Sequence, residues 1–170
     1  AGTEKCENIP IRCSGITDRD PPKHILQNVE EEPSLPVAEK PKPQKVPFKP
    51  TPENPGEPKN HAWELVQATA SGEQRIGDCR IYGSPLKTLE YDLAFEGENL
   101  KHMAAILAKN WPTEGKNKAK LTEISVTDWS EKSDDDKANA AFEILARVDD
   151  DDMGKGRFAQ LLADSLSPRR

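Results

Sequence analysis

The sequence has little from which to build a large core. Of its 170 residues, 34% are hydrophobic and 5% are aromatic, whereas 32% are charged. A compact core must therefore come from selected segments, with the remaining residues solvated. The sequence also lacks an apolar run near the ~18 residues that mark a membrane span, and it has no charged-then-apolar leader. We therefore expect a soluble, cytoplasmic protein that does not contact a membrane.

Cysteine is scarce and lacks the spacing of a metal site or a disulfide framework. Cys6, Cys13 and Cys79 form no C-x-x-C pair, and no histidine pattern accompanies them. Cys13 and Cys79 fall in apolar, strand-like stretches, where a small buried thiol is the expected state. The sequence thus predicts neither a zinc site nor a disulfide.

Positive charge is also in short supply, because the formal net charge is −6. This balance argues against a protein that grips nucleic acid through its overall potential. The acidic runs at 30–32, 134–136 and 149–152 account for the sign, and such runs are typical of solvated loops and helix starts. Nucleic acid is not excluded as a substrate, because a site that holds divalent cations against a phosphodiester needs acidic residues.

Proline, in contrast, is abundant and concentrated. Nine of the fifteen prolines lie between Pro33 and Pro58, where the composition favours extended polyproline II geometry without internal hydrogen bonds. We therefore divide the chain into a first strand segment over residues 1–22, a flexible proline-rich insertion over 23–59, and the rest of the domain over 60–170. One competing function is a non-catalytic interaction module that presents this arm to a partner.

The first half of the chain follows a strand, helix, strand order. An apolar strand over residues 9–16 ends at an Asp-Arg-Asp-Pro-Pro sequence, because proline cannot continue it. A helix follows from about residue 60 to Gly72, and a second strand spans 78–82. This order predicts an α/β fold with a small, mostly parallel sheet flanked by helices.

The second half predicts helices. One begins at Thr88 as the N-cap, is interrupted at Gly97 and stops at Trp111. Two more span 137–148 and 155–166. The stretch 113–136 is polar and is assigned no helix; Ile124 and Val126 are expected in an edge strand or a loop anchor.

Two aspartates at the end of the first strand are the first candidate site residues. Asp18 and Asp20 would leave the same face of an extended backbone about 6.6 Å apart. Ligands bind beyond the carboxyl ends of strands in open α/β sheets, and this spacing suits one hydrated divalent metal or two neighbouring metals. The alternative is an ordinary strand-terminating turn.

Glu90 follows the second strand and falls in the first turn of a helix, so it can reach the same sheet edge. Asp92 lies two residues further, about 200° around a helix, so only one of the two can face the site. The alternative role for either carboxylate is to stabilise the helix macrodipole.

Lys155 lies between Gly154 and Gly156 at the mouth of the last helix. Glycines permit close backbone approach, and a helix N-terminus attracts anions. A lysine there suits a phosphate whose negative charge increases in the transition state. The alternative is a solvated lysine in a loop.

Three segments, taken in order, resemble the C-terminal TOPRIM half of the overcoming-lysogenization-defect (OLD) family of ATP-dependent endonucleases. They are Ile16-Thr-Asp-Arg-Asp-Pro-Pro22, Lys87-Thr-Leu-Glu-Tyr-Asp-Leu-Ala94 and Gly154-Lys-Gly-Arg-Phe-Ala-Gln160. The resemblance covers residues 9–22 and 77–162 discontinuously, and the proline-rich segment has no counterpart in it.

The resemblance implies a metal-dependent DNA endonuclease with a partial, Rossmann-like TOPRIM core. Asp18 and Asp20 would bind Mg²⁺ or Mn²⁺, Glu90 would help to hold a second metal, and Lys155 would stabilise the pentavalent phosphate. A metal-dependent phosphatase or nucleotidyl transferase with a similar acidic site is the alternative enzyme class.

The chain departs from the family pattern in two places. Family members carry another essential glutamate on an earlier strand, and Glu4 and Glu7 lack the strand and glycine context for it. The chain also has no G-x-x-x-x-G-K-[ST] phosphate loop, so the family's ATPase is expected on another domain or subunit. We therefore expect DNA as the substrate, an ATPase domain or subunit as the partner, and weak or no nuclease activity from this chain alone. The sequence is also compatible with a homo-oligomer.

Overall fold

Four short strands and six helices make up the part of the chain that the structure describes. The computed structural model describes residues 13–27, 44–58, 61–70, 79–150 and 153–166. In chain order the elements are β1 (Cys13–Thr17), β2 (His24–Gln27), β3 (Gln44–Pro47), α1 (His61–Ala70), β4 (Cys79–Gly83), α2 (Leu89–Phe95), α3 (Asn99–Asn110), α4 (Lys116–Val126), α5 (Asp134–Val148) and α6 (Lys155–Leu166).

The first sheet is a parallel pair of β1 and β4, joined through α1. Cys13 lies opposite Cys79 and Thr17 opposite Gly83, and α1 packs on β4. Gly83 has to be a glycine here, because a Cβ atom at this position would overlap the Trp63 ring of α1. The predicted strand, helix, strand unit with a parallel connection is confirmed; residues 9–12 of the first predicted strand lie outside the described residues.

The second sheet is an antiparallel pair of β2 and β3, with His24 opposite Pro47. It lies inside the range 23–59, and the chain beyond β3 buries Phe48 and Pro50. Residues 44–50 thus differ from the extended, flexible arm that the composition predicts. The physical reason is that these two apolar residues gain by burial, Phe48 beside Gly56 and Pro50 beside Tyr91 of α2, more than the composition of the segment indicates. Residues 28–43 lie outside the described residues.

The hydrophobic core lies among α2, α3, α4, α5 and the start of α6. Its largest fully buried hydrophobic side chains are Tyr91, Leu100, Leu107, Leu121, Ile144 and Val148. The core therefore belongs to the helical second half of the chain, and the two sheets pack at its edge.

One helix was not predicted. The stretch 113–136, to which the sequence assigns no helix, contains α4, which packs mainly on α3. Only Leu121 and Ile124 of this helix are buried, so its apolar stripe is too narrow to stand out among its polar residues. Trp129 closes the end of the helix by donating its indole N–H to Ile124 O at 3.0 Å. The expectation of an edge strand or loop anchor at Ile124 and Val126 is therefore wrong.

Other helix boundaries follow the predicted signals. Thr88 caps α2 by accepting a hydrogen bond from Tyr91 N at 3.4 Å, α2 and α3 are separated around Gly97, and α3 ends before Trp111. The fifth helix begins at Asp134, three residues earlier than predicted, because Ser133 accepts a hydrogen bond from Asp136 N at 3.2 Å as its N-cap.

The fold class is α/β, as predicted, but helices outweigh strands. The described residues hold one parallel and one antiparallel pair of strands, rather than a single, mostly parallel sheet. None of the described helices is both long enough and apolar enough to cross a bilayer.

Candidate functional site

Three predicted site segments meet beyond the carboxyl ends of β1 and β4. Asp18 directly follows β1, Glu90 lies in the first turn of α2, and Lys155 is the first residue of α6. The Asp18 carboxylate accepts a hydrogen bond from Leu89 N at 3.2 Å, which joins the end of β1 to the start of α2. Sequence order alone did not require these segments to be neighbours; the parallel pairing of the strands brings the first two together.

The surroundings of Asp18 disfavour its ionised form. Its pKa is raised above the usual value, first by partial burial and then by the carboxylates of Asp20 and Glu90. The Leu89 N–H and the Lys155 ammonium act in the opposite direction and do not cancel the rise. A cation placed beside Asp18 would therefore stabilise its ionised form.

Lys155 is held between two carboxylates. Its Nζ lies 3.6 Å from Glu90 Oε1 and 3.4 Å from Asp149 Oδ1. Burial alone would lower the pKa of Lys155, but the negative charges of Glu90, Asp149 and Asp18 outweigh it and raise the pKa. The lysine is thus a fixed positive charge at neutral pH, and with 51% of its side chain exposed it remains accessible to an anion.

Asp20 does not continue an extended strand. The strand β1 ends at Thr17, and Asp20 has φ of 50° in the left-handed region, which aspartate tolerates better than most residues. The expectation that Asp18 and Asp20 project from one face of a strand is therefore wrong. The physical reason is that the chain from Asp18 to Pro22 has no regular structure, so the alternation of side chains along a strand does not apply there. Asp20 still acts electrostatically on Asp18, so the two carboxylates remain neighbours.

Arg19, between the two aspartates, is a positioning residue that the sequence did not reveal. Its Nε and Nη2 both donate to Gly56 O, at 3.1 and 2.9 Å, and its guanidinium lies 4.9 Å from the centre of the Trp63 ring. Its backbone N donates to Lys87 O at 3.0 Å. Gly56 has φ of 71°, and a Cβ atom there would overlap Phe48. Arg19 thus connects the chain after β1 to three other segments. The only signal in the sequence was its place between two candidate ligands.

Glu90 and Asp92 point in different directions, as the helical period requires. Whereas Glu90 pairs with Lys155, the Asp92 carboxylate accepts hydrogen bonds from Leu86 N and Lys87 N, both at 3.2 Å. Burial raises the pKa of Asp92 to about 6, even though those two N–H groups lower it. Asp92 therefore shapes the loop between β4 and α2, and Glu90 is the one that faces the candidate site.

The carboxylates fit a hydrated divalent ion rather than a closed metal cage. In the described parts of the chain, no three His, Cys, Asp or Glu side chains are grouped closely enough to hold a metal ion by themselves. Mg²⁺ commonly keeps several waters and binds through one or two carboxylates together with substrate phosphates. Asp18 and Asp20 carry hard carboxylate oxygens of the type that Mg²⁺ binds, whereas Glu90 is paired with Lys155.

Comparisons with protein-family models, with curated proteins and with solved structures find no match for this chain. What the structure defines is the class: an α/β fold, mostly helical, in which Asp18, Glu90 and Lys155 meet beyond the parallel strands. The TOPRIM resemblance, the metal and the activity stay predictions.

Proposed function

We propose that this chain is the C-terminal TOPRIM part of a divalent-metal-dependent DNA endonuclease. The observation that carries the proposal is the convergence of Asp18, Glu90 and Lys155 from three segments far apart in the sequence. These are the three segments on which the resemblance to the OLD family depends. They meet at the carboxyl end of a parallel strand pair, which is where an α/β protein binds ligands.

In this proposal Asp18 and Asp20 hold Mg²⁺ or Mn²⁺. When bound, the cation supplies Lewis-acid stabilisation of the negative charge that develops on a phosphodiester. Burial and neighbouring carboxylates raise the pKa of Asp18. A bound cation would stabilise the ionised carboxylate, and this supports the proposal. The carboxylates act by placing the cation and not by exchanging protons.

Lys155 provides the second positive charge. Its ammonium can stabilise the phosphoryl oxygens as their negative charge increases. Glu90 and Asp149 fix its position from two sides, so little reorganisation is needed when a substrate phosphate arrives. Glu90 then acts by holding the lysine, and a share in a second metal remains the role that the resemblance implies.

The first test is metal binding. In calorimetry with metal-free protein, we expect Mn²⁺ to bind the wild type, and the double variant D18N/D20N to show no binding, because the amides carry no charge. The matched control is D135N/D164N, which removes two exposed carboxylates elsewhere. Unchanged Mn²⁺ affinity in D18N/D20N, or no Mn²⁺ binding by the wild type, would contradict the proposal.

The second test separates the enzyme classes. Supercoiled plasmid, p-nitrophenyl phosphate and nucleotides are incubated side by side with Mn²⁺ and a high concentration of protein. We expect slow plasmid nicking that D18N/D20N and Lys155→Ala abolish. Hydrolysis of p-nitrophenyl phosphate without nicking would identify a phosphatase, and nucleotide turnover without nicking would identify a nucleotidyl transferase.

The competing interaction-module function depends on an accessible proline-rich arm. Phe48 and Pro50 are buried, and Tyr91 Oη donates to Pro50 O at 2.8 Å. Residues 48–50 are therefore closed to a partner that binds polyproline II. For these residues, burial favours the enzymatic proposal over the interaction module.

A further inference from the structure

A cavity of about 740 Å³ adjoins the acidic site, between the β2–β3 pair and the start of α2. Three lysines from three different segments line it: Lys23 before β2, Lys45 on β3 and Lys87 just before α2. Such a concentration of positive charge is unusual in a chain whose net charge is −6. The cavity therefore differs in potential from the molecule as a whole.

The cavity and the acidic site share residues. Asp20 and Asp149 both line the cavity. Asp20 also acts on the carboxylate of Asp18, and Asp149 lies 3.4 Å from Lys155 Nζ. A ligand that fills the cavity is thus adjacent to the proposed metal ligands and to the lysine that would contact a substrate phosphate.

The positive charges of the cavity are not fully compensated. Three lysines and two aspartates line the cavity, so the lining has one more positive charge than negative charges. Burial is the main cause that lowers the pKa of Lys87; Asp20 and Asp149 raise it, and Lys23 lowers it. An anion in the cavity would balance the remaining positive charge. Lys87 also lies 6.0 Å from the centre of the Phe142 ring, a contact that limits how freely its ammonium moves away.

The wall of the cavity is not purely polar. Ile25 and Leu26 of β2 line it and are 43% and 66% exposed, and His24 lies beside them. A nucleobase or sugar can cover apolar side chains of this kind, and an imidazole can stack on a base. The volume is within the range of about 300–1,000 Å³ that small-molecule sites occupy, and it exceeds what one phosphate group needs.

We propose that this cavity binds the strand that flanks the cleaved bond of a nucleic acid, with Lys23, Lys45 and Lys87 on its phosphates and Ile25 and Leu26 against a base or sugar. A positively charged groove with apolar side chains is the usual device for holding a single strand without reading its sequence. The position of the cleaved bond rests on the proposed function; the binding of the strand does not.

The test measures binding without chemistry. Fluorescence anisotropy follows a labelled single-stranded DNA oligonucleotide and the full chain in EDTA at several salt concentrations. Each phosphate contact contributes about 0.7 to the slope of log K against log salt for a single strand. K23Q/K45Q/K87Q should therefore reduce the steepness of this slope by about 2 and weaken binding by about 100-fold at ~0.1 M salt.

The matched control is K109Q/K116Q/K132Q, which removes the same charge from three exposed lysines outside the cavity. It should retain most of the affinity, and circular dichroism should show both triple variants folded. Equal slopes for the two triple variants, or no binding by the wild type, would overturn the inference. So would competition by a mononucleotide as effective as competition by the unlabelled oligonucleotide, because the site would then be a nucleotide pocket.

The failures of the two proposals are distinguishable. D18N/D20N should bind the oligonucleotide in EDTA at least as well as the wild type, because it removes negative charge and no lysine. Oligonucleotide binding that depends on the three lysines, without Mn²⁺ binding at Asp18 and Asp20, contradicts only the proposed function. Metal-dependent nicking that K23Q/K45Q/K87Q leaves unchanged contradicts only the strand-binding inference.

Discussion

At the scale of single residues, the triplet Asp18-Arg19-Asp20 divides two tasks between neighbours. The aspartates contribute charge to the candidate site, whereas Arg19 donates to Gly56 O through two nitrogens and covers the Trp63 ring. The position of both carboxylates thus depends on an arginine that contacts no proposed ligand.

Replacing Arg19 with lysine tests this dependence. Lysine keeps the charge but cannot donate to Gly56 O from two nitrogens or stack as a plane, so we expect R19K to lower the free energy of unfolding by about 1–2 kcal/mol in urea titrations. Calorimetry should also show weaker Mn²⁺ binding in R19K. The control is R157K, on the exposed side of α6. Mn²⁺ affinity equal to that of the wild type would show that Arg19 stabilises the fold without positioning the aspartates.

Asp92 predicts a pH dependence of stability. Burial raises its folded pKa to about 6, above the usual value for aspartate, so the folded state keeps a proton that the unfolded state loses. The stabilisation is complete below about pH 4 and is lost as the pH rises through 6. Because Asp92 is only partly buried and the charge is screened, we expect about 1 kcal/mol.

Denaturation of Asp92→Asn in EDTA from pH 3.5 to pH 7.5 checks this expectation. An amide oxygen can still accept from Leu86 N and Lys87 N, and it does not titrate. The variant should therefore gain stability relative to the wild type as the pH rises from 4 to 6. A constant difference between the two proteins over this range would exclude the pKa rise, and D135N serves as an exposed control.

The sequence was informative about residues whose role depends on local position. Asp18 at a strand end, Glu90 in a first helical turn and Lys155 at a helix mouth were all placed by nearby signals. Arg19 was missed because its partner Gly56 is distant in sequence. Asp149 was missed because its pairing with Lys155 depends on how the chain passes from α5 to α6. No local pattern specifies such contacts.

At the scale of elements, the same distinction holds. The helices α2 and α5 begin at side-chain N-caps, α3 and α5 each bury six residues, and the sequence predicted all three helices. The helix α4 buries only Leu121 and Ile124, and the β2–β3 pair lies in a proline-rich range. These elements form because tertiary contacts override weak or contrary local preferences.

Tyr91 makes one of the contacts that hold the segment after β3 against the helices. Its ring is fully buried in the core, and its hydroxyl donates to Pro50 O at 2.8 Å. In Y91F the Pro50 carbonyl loses this donor, so we expect a loss of about 1–2 kcal/mol in the free energy of unfolding. Hydrogen exchange should become faster at the amides of residues 44–49 and stay unchanged in α3.

The other tyrosine supplies the control, because Tyr82 is 51% exposed. Y82F should leave both stability and exchange unaltered. If Y91F lowers the protection of α3 and of residues 44–49 by the same amount, the segment and the helical core open together, and Tyr91 does not fasten a separate unit.

At the scale of the whole molecule, charge is distributed unevenly. The chain is acidic overall, yet three lysines gather at one cavity and a fourth stands among carboxylates beside it. Net charge alone argues against binding nucleic acid through the overall potential. The arrangement instead concentrates positive potential where a polyanion would bind and leaves the remaining surface repulsive, which would suppress non-specific association with nucleic acid.

The parallel pairing of β1 with β4 has a consequence for the order of folding. The pair places Cys13 opposite Cys79, and beyond its carboxyl end Arg19 donates to Pro85 O across 66 residues of sequence. In contrast, α3, α4 and α5 contact helices that are near them in sequence. Closing so long a loop costs entropy before any contact forms, so non-local pairs form late. The helices should therefore fold first, and the carboxylates should come together only in the last step.

Native-state hydrogen exchange checks this order. Amides of β4 should exchange through an opening of lower free energy than amides of α3, and Mn²⁺ should slow the β4 amides selectively, because a ligand stabilises the state that binds it. Equal opening free energies for both elements would show that the chain unfolds as one unit. A cation at the acidic site would then do more than take part in chemistry: it would hold the last-formed part of the fold closed.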